Sequence, residues 1–357
     1  MLKIIYRSVL KELITTFVLT LAFLNSVLMM EKILRLSKLL SGIGASVFDM
    51  AKIILYLQPQ LLLLTIPMSL LLSTLLVYGR MNQDSEIIIL KTSGMDFTKI
   101  SLPVMLLGLL SFFTSIAVSF ALGPESSLQL RNEITKIIAV GSTQAIEEGT
   151  FNTSFKDIVI LVKGRKPPDM LKDIFIYDSR TKEEPRVLMA NEGRLFVQDG
   201  PSIGLDLTDG YINIVRGNVT TELFFDRYRF SLVLESDSHA PKKAEFTPLE
   251  LLQKAAEELN PRDKIALYLE FHRRLSLPAV CLVLIFLGPP LSLIAGKSGR
   301  LGGLAIGLLV FTVYYMSLIY GENMVTTGLV PHYVGAWATT TVLGLFAFFM
   351  FKIEASK

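Results

Sequence analysis

The chain has 357 residues, of which 51% are hydrophobic and 19% are charged. Soluble domains carry about 25% charged residues, so this composition is typical of a membrane protein. The charges are also unevenly distributed, because residues 124–265 hold 42 of the 67 Lys, Arg, Asp and Glu side chains. This pattern excludes a soluble enzyme, a disordered protein and a bundle of membrane helices joined only by short loops.

Six apolar runs are long enough to cross about 30 Å of hydrocarbon as helices. Three lie before the charged insert and three after it, at Leu13–Met30, Ile53–Gly79, Ile100–Gly123, Leu275–Gly296, Leu301–Gly321 and 333–351. The first run is long for a signal peptide and lacks a small-residue cleavage site, so we predict a retained helix. Residues 1–123 therefore hold the first three membrane helices, and residues 275–357 hold the last three.

The distribution of Lys and Arg predicts the orientation. Short segments on the side of the N-terminus hold ten of these residues, against four in the short loops on the opposite side. Because positively charged loops stay in the cytoplasm, we expect a cytoplasmic N-terminus and an insert outside the membrane.

The insert, residues 124–246, alternates β-prone runs with turn signals. Seven runs are rich in Val, Ile, Leu, Phe and Tyr, at Asp157–Lys163, Asp173–Tyr177, Arg186–Met189, Arg194–Gln198, Gly204–Thr208, Tyr211–Arg216 and Glu222–Val233. Turns are expected at 166–169, 191–193, 199–201 and 209–210. This spacing predicts an all-β antiparallel sandwich or jelly roll.

Residues 247–274 predict helices that connect the insert to the fourth membrane run. Thr247 to Glu250 form a capping box with a proline at the first helical position, which opens a helix to about Leu259. Asn260 and Pro261 begin a second helix that leads into the membrane.

The chain lacks the motifs of an enzyme. We find no phosphate-binding loop in a strand-to-helix context, no metal-ligand spacing and no nucleophile motif, so we expect no catalytic residue, cofactor or metal. The middles of the six runs also lack the ionisable residues that ion-coupled transporters use. Energy for transport would therefore come from another subunit.

The segment between the second and third runs, at about 82–93, predicts a short helix. Asp84 can cap it and Gly94 can end it, and Glu86 would lie beside an Ile and Leu face. Such a helix either docks on a partner or lies among lipid headgroups.

Several motifs follow one another along the chain: Gly-Arg, Asp-Ser-Glu and Ser-Gly within Gly79–Gly94, then Gly123-Pro124, Gly288–Leu291, Ser298–Arg300, Tyr314-Tyr315 and Gly328–Pro331 followed by Trp337. In this order they resemble the LptF/LptG (YjgP/YjgQ) permease family. The stretches Glu270–Arg274 and Gly123–Ser127 are more similar to LptF than to LptG.

This resemblance implies a permease subunit of an ATP-driven transporter that extracts lipopolysaccharide from the bacterial inner membrane. A periplasmic jelly roll would pass the lipid to a bridge of similar domains. The implied partners are an LptB-type ATPase dimer, a paralogous LptG-type or LptF-type permease and an LptC-type jelly-roll protein. Asp84 and Glu86 match the helix that couples the permease to the ATPase.

The sequence leaves two alternative functions open. One is a membrane component of another ABC-type transporter for envelope lipids or lipoproteins, although such chains usually have four spans and an insert after the first. The other is an envelope scaffold that transports nothing.

Candidate binding residues follow from their depth in the membrane. Basic side chains at the outer ends of the first and fourth runs can bind lipid A phosphates or can extend to ordinary headgroups: Lys32, Arg35, Lys38, Arg273 and Arg274. Apolar side chains that can line an acyl-chain cavity, or simply pack in a core, are Leu21, Phe23, Leu24, Phe311 and Tyr315. In the insert, residues that face either a lumen or a sandwich core are Ile158, Ile160, Val187, Leu205, Leu207 and Phe230.

Overall fold

The computed structural model describes residues 2–40, 46–145, 148–155, 157–166, 170–180, 185–197, 202–216, 219–233, 243–295 and 299–356. Two compact units are present: a helical unit formed by Met1–Lys32, Tyr56–Ser127 and Lys242–Lys357, and a second unit formed by Ile33–Leu55 and Leu128–Pro241. The second unit contains the β-strands and is called the sheet unit below.

Among the described residues, six helical stretches are long and apolar enough to cross a membrane, which confirms the predicted number. The helices are α1 Leu2–Leu40, α2 Val47–Gln83, α3 Glu86–Thr92, α4 Phe97–Ile100, α5 Leu102–Ala117, α6 Gly123–Ala145, α7 Pro248–Glu257, α8 Pro261–Ala295, α9 Gly299–Thr326 and α10 His332–Ala355. The third membrane stretch joins α5 and α6 through a π-helical turn, Val118–Leu122.

The helical unit is built around α2. In its apolar membrane stretch 78% of the residues are buried, the largest share of the six stretches. Small residues let neighbouring helices approach it closely. A Cβ added at Gly288 of α8 would meet the Thr74 side chain at 2.8 Å, and one at Gly307 of α9 would meet Leu72 at 2.6 Å. Helices α9 and α10 approach each other in the same way at Gly321 and Gly335.

The third membrane helix extends further than the apolar run indicates. Pro124 has no N–H to continue the α-helical ladder, and Gly123 N–H instead bonds to the carbonyl of Val118 across the π-turn. The chain then stays helical to Ala145. The first strand begins at Phe151, so residues 124–145, which were assigned to the β-insert, are helical.

Within the described residues, six strands form one antiparallel sheet in the order of the chain. They are β1 Phe151–Phe155, β2 Ile158–Lys166, β3 Met170–Asp178, β4 Arg186–Val197, β5 Ser202–Arg216 and β6 Val219–Val233. Each described strand pairs with its neighbours in sequence, so the sheet is a meander and lacks the crossovers of a jelly roll.

Two of the predicted turns are wrong. Residues 191–193 lie inside β4 and residues 209–210 lie inside β5, and the pairing of these strands continues through both places. Asp209 has a φ of 50°, a left-handed conformation that bends the strand locally without reversing it. Asp173, at the corresponding position of β3, has the same φ.

One face of the sheet forms an apolar core. It buries large aliphatic side chains from β2 to β5 together with Phe230 of β6. Of the six residues predicted to face a core or lumen, five belong to this cluster, and Val187 is half-buried.

The connection from the sheet to α8 confirms the predicted capping box. Thr247 Oγ1 accepts a hydrogen bond from the Glu250 N–H, and the Thr247 N–H donates to the Glu250 carboxylate at 2.7 Å. The backbone hydrogen bond from Thr247 lowers the pKa of Glu250. Leu251 and Ala255 of α7 pack against Leu267 of α8. The predicted second connecting helix and the fourth membrane helix are one continuous helix, α8.

Candidate functional site

The connection between α2 and α5 folds as a short helix at one end of the bundle. Helix α2 ends at Gln83, and Ser85 takes a left-handed φ of 59° that turns the chain into α3. At the other end Gly94 has a φ of 87°, and the N–H groups of Gly94 and Met95 bond back to Lys91 and Leu90. A short helix and its glycine stop are present as predicted, but the helix covers Glu86–Thr92, and residues 82 and 83 of the predicted range belong to α2.

The predicted cap is wrong. Ser85, not Asp84, precedes the first helical residue, and no side chain caps the helix. The Asp84 carboxylate instead accepts a hydrogen bond from Arg80 at 3.1 Å.

Arg80 holds three carboxylates, and we call these four side chains the Arg80 cluster. Its Nε and Nη2 donate to the two oxygens of Glu12 on α1, at 2.9 and 2.8 Å. Its Nη1 donates to Asp84 at 3.1 Å and to Glu86 at 2.9 Å. One positive and three negative charges therefore meet where α1, α2 and α3 come together.

Further contacts fix α3 to the rest of the helical unit. Ile87 is buried in the main core. Lys91 Nζ lies 2.8 Å from Glu354 Oε1 of α10. The Phe97 ring packs against Phe351, with 5.5 Å between the ring centroids. Because these contacts come from both ends of the segment, they hold α3 against the bundle.

The opposite side of α3 is open. Ile88 and Ile89 are 55% and 62% exposed. The side chains of Asp84 and Glu86 are 54% and 43% exposed. Together, the apolar pair and the partly exposed carboxylates form a surface that can dock in an apolar and basic groove of another protein.

A cavity of about 360 Å³ lies near the other end of α2 and is called the Lys32 cavity. Gln60, one of its lining residues, is twenty residues before Arg80 on α2, which is about 30 Å along a helix. Its polar lining includes three of the predicted lipopolysaccharide-binding residues, Lys32, Arg273 and Arg274, together with Gln60, Ser119, Ser127 and Glu270.

The two arginines of this cavity differ in what they can still bind. Arg274 is buried, and its guanidinium donates to Glu270 and to the main-chain carbonyls of Lys243, Ala244 and Phe246. These bonds use most of its donors and tie the segment after the sheet to α8, which favours a structural role for Arg274.

Arg273 is more open. Its side chain is 38% exposed and pairs with Glu322 at 3.3 Å and with Glu270 at 4.0 Å. A partly solvated arginine on the wall of a cavity, beside Lys32, can bind an anionic group.

The remaining predicted residues lie on α1 and α9. Arg35 and Lys38 belong to α1, but their side chains lie outside the described residues. Leu21 and Tyr315 rest against the main core, and Leu24 is half-buried. Phe23 is 68% exposed. The Phe311 and Tyr315 rings of α9 stack with 6.2 Å between their centroids.

Glu12, Glu270 and Glu322 are not among the site residues predicted from the sequence. Each is an acidic residue near the end of an apolar helix, and each pairs with an arginine that the sequence did single out as part of a motif or a basic cluster. A search for acidic partners at matching membrane depths could have found them. Within the described residues, no group of three or more His, Cys, Asp or Glu side chains could hold a metal ion.

Comparison with known proteins identifies a family and a relative. The chain matches the sequence profile described as lipopolysaccharide export system permease LptF/LptG over residues 7–353. It is also 25% identical, over 290 residues, to the uncharacterized protein RP871 of Rickettsia prowazekii (strain Madrid E), and the match covers 79% of each chain.

Proposed function

The chain belongs to the LptF/LptG family of lipopolysaccharide export system permeases, and from this premise we propose that it is driven by a separate ATPase. In this proposal the helical unit lies in the bacterial inner membrane and receives lipopolysaccharide there. The sheet unit lies in the periplasm and passes the lipid to a bridge of similar domains.

The geometry of α3 is the observation that carries the proposal. The helix is fixed to the bundle by Ile87 and by the Lys91–Glu354 ion pair, while Ile88, Ile89 and the carboxylate of Glu86 remain open. A rigid projection with an open apolar and acidic face suits an element that receives force from a partner. The partner we infer is an LptB-type ATPase dimer with a basic rim around an apolar groove.

The Lys32 cavity supports a place for the lipid's charged part. Lys32 and Arg273 would bind lipid A phosphates through charge-assisted hydrogen bonds. Arg35 and Lys38 would extend the same basic stretch along α1. The exposed apolar faces of α1 and α9, including Phe23, would line the space for acyl chains between this chain and a second permease.

The sheet supports the proposed transfer to a similar domain. Among the described strands, β1 and β6 each pair with one neighbour only, so each can accept a strand edge from another protein. An LptC-type jelly-roll protein is the partner that we infer. The closer resemblance to LptF stays a prediction, and copurification with a second six-helix chain of the LptG type would support it.

Glu86→Ala tests the coupling proposal. The chain is coexpressed with its paralogous permease and the ATPase, purified and reconstituted into proteoliposomes that contain lipopolysaccharide. Removing a carboxylate from a charged contact should weaken ATPase association by about tenfold or more. Lipopolysaccharide release should fall with it.

Asp96→Ala is the matched control, since Asp96 is an exposed carboxylate on the neighbouring turn that pairs with Lys99. This variant should retain the ATPase and release lipid normally. A Glu86→Ala complex that keeps its ATPase and its export rate would show that the coupling assignment is wrong. A wild-type complex that hydrolyses ATP without releasing lipopolysaccharide would overturn the proposed cargo.

A further inference from the structure

We propose that Glu12 and Arg80 transmit the movement of α3 to α1, and that α1 carries this movement to the Lys32 cavity. This inference rests on the proposed function, since it concerns the path by which an ATPase docked on α3 would act on lipid at the far end of the bundle.

The first step of the path is the Glu12–Arg80 pair. Both oxygens of Glu12 accept hydrogen bonds from Arg80, at 2.9 and 2.8 Å. A bidentate arginine–carboxylate pair resists rotation as well as separation, because two parallel bonds fix the planes of both groups. Neither group can shift without moving or losing the other.

The second step of the path is the contact between the third guanidinium nitrogen of Arg80, Nη1, and the carboxylates on the α3 side of the cluster. Nη1 bonds to Glu86, the residue that we expect to contact the ATPase, and to Asp84. The rigid guanidinium therefore links Glu86 to Glu12 through one planar group. A partner that draws Glu86 away, or presses it inwards, changes the position of Arg80 and hence the bonds to α1.

The third step is that α1 is free to respond. Only 11% of the residues in its apolar membrane stretch are buried, compared with 78% in α2. Its firm packing includes Val9 and Leu13, which flank Glu12 in the sequence and belong to the main core. Near its other end Met29 is buried and Asn25 bonds to Gln58 of α2, so α1 has few fixed contacts along its length and can tilt against the bundle.

The fourth step is that α1 can carry a displacement over its whole length. It is one continuous helix from Leu2 to Leu40, and this range contains no glycine or proline, the residues at which helices most often bend. Glu12 and Lys32 are twenty residues apart, about 30 Å along the axis. A tilt set at Glu12 therefore moves Lys32 at the cavity.

Glu12→Ala tests the path in the full complex with the ATPase and the second permease. The readout is lipopolysaccharide released from proteoliposomes per ATP hydrolysed, because a loss of folding would lower both quantities and leave their ratio unchanged. We expect ATPase binding and hydrolysis to persist and the ratio to fall about fivefold or more, as for the loss of a typical allosteric coupling.

Glu12→Gln keeps the shape of the side chain and one acceptor oxygen. It should restore the ratio partly, to a value between those of Glu12→Ala and the wild type, and it removes the concern that the alanine variant is simply misassembled. Asp96→Ala is the matched control, because it removes a nearby carboxylate that pairs with Lys99 and does not belong to the Arg80 cluster. Its ratio should stay within about twofold of wild type.

An unchanged ratio in Glu12→Ala would overturn the path, and so would an equal fall in Asp96→Ala, which would show that the loss is not specific to the Arg80 cluster. Both results differ from a failure of the proposed function. In that case the wild-type complex itself would not bind the ATPase or release lipopolysaccharide.

Discussion

Helices α1 and α2 have nearly the same length, 39 and 37 residues, and both contain a stretch apolar enough to cross a membrane. Their surroundings differ. In the apolar membrane stretch of α2 most residues are buried within the same chain, whereas α1 exposes large residues such as Leu19 and Phe23 along its length. Hydrophobic content therefore does not separate a helix that forms the core from one that faces lipid or a partner.

The physical reason is that a membrane removes the usual contrast between inside and outside. Lipid tails, a partner helix and the protein core are all apolar, so burial in the core is favoured by close packing and not by escape from water. The comparison makes α2 the structural centre of the helical unit and α1 the helix that is available for movement and contact.

The largest expected effect is a loss of stability, and it concerns a core residue of α2. Leu75 of α2 is almost fully buried and lies against Gly307 of α9. Leu75→Ala should lower the free energy of unfolding by about 2–4 kcal/mol, because the cavity it leaves cannot be filled by rigid neighbours. Unfolding of the purified chain by denaturant in detergent measures this change.

Leu19→Ala is the matched control on α1, where the side chain is 65% exposed. It removes the same atoms but opens no cavity, so stability should change by less than about 0.5 kcal/mol. Equal losses for the two variants would mean that α1 is packed as firmly as α2.

The sequence predicted the six membrane helices because each needs a long apolar run, a signal that few other structures produce. It predicted the end of the third helix wrongly, because Gly123–Ala145 carries polar residues such as Glu125 and Arg131 and reads as part of the charged insert. The α-helix continues through these residues in spite of their polar composition.

The sheet was predicted in part. Strands were found from their β-branched and aromatic residues, but Asp209 and Gly210 were interpreted as a turn. In the fold the two residues lie inside β5, where Gly210 is required because a Cβ would come 2.2 Å from the carbonyl oxygen of Met189. That close approach comes from a neighbouring strand, and no local pattern in the sequence contains it.

At the candidate site, the sequence predicted Glu86 and the helix that carries it, but not the Glu12–Arg80 pair. These two residues are separated by 68 positions, and Glu12 by itself reads as an ordinary charge before a membrane run. The contact between α1 and the end of α2 forms only in the tertiary structure. Residue spacing in the sequence therefore could not predict the geometry of this side-chain pair.

A smaller effect should separate the two faces of α1 itself. Phe17 rests against the main core, whereas Phe23 is 68% exposed. Phe17→Ala should cost about 1–2 kcal/mol of stability, less than a fully buried phenylalanine, because part of its ring already faces outwards. Phe23→Ala should leave stability within about 0.5 kcal/mol of wild type.

The Phe23→Ala variant also tests the proposed role of α1 in lipid binding. If Phe23 lines the space for acyl chains, its alanine variant should release less lipopolysaccharide per ATP in the reconstituted complex in spite of normal stability. A Phe23→Ala protein that is unstable when purified alone would instead place Phe23 in an internal contact of this chain.

The smallest expected effect concerns the polar contact between the two helices. Asn25 Nδ2 of α1 donates to Gln58 Oε1 of α2 at 2.9 Å, and the Asn25 Oδ1 is buried without a partner among the described residues. Asn25→Ala should cost only about 0.6 kcal/mol, the usual worth of such a bond between membrane helices, since it also removes the unpaired oxygen. Its clearer consequence is local: amide hydrogen exchange, followed by mass spectrometry, should become faster in α1 after residue 20 and stay unchanged in α2.

Thr20→Ala serves as the control, because Thr20 Oγ1 bonds to the carbonyls of Thr16 and Phe17 within its own helix. If Asn25→Ala speeds exchange in both helices equally, α1 and α2 open as one unit, and the division between a fixed helix and a movable one is incorrect.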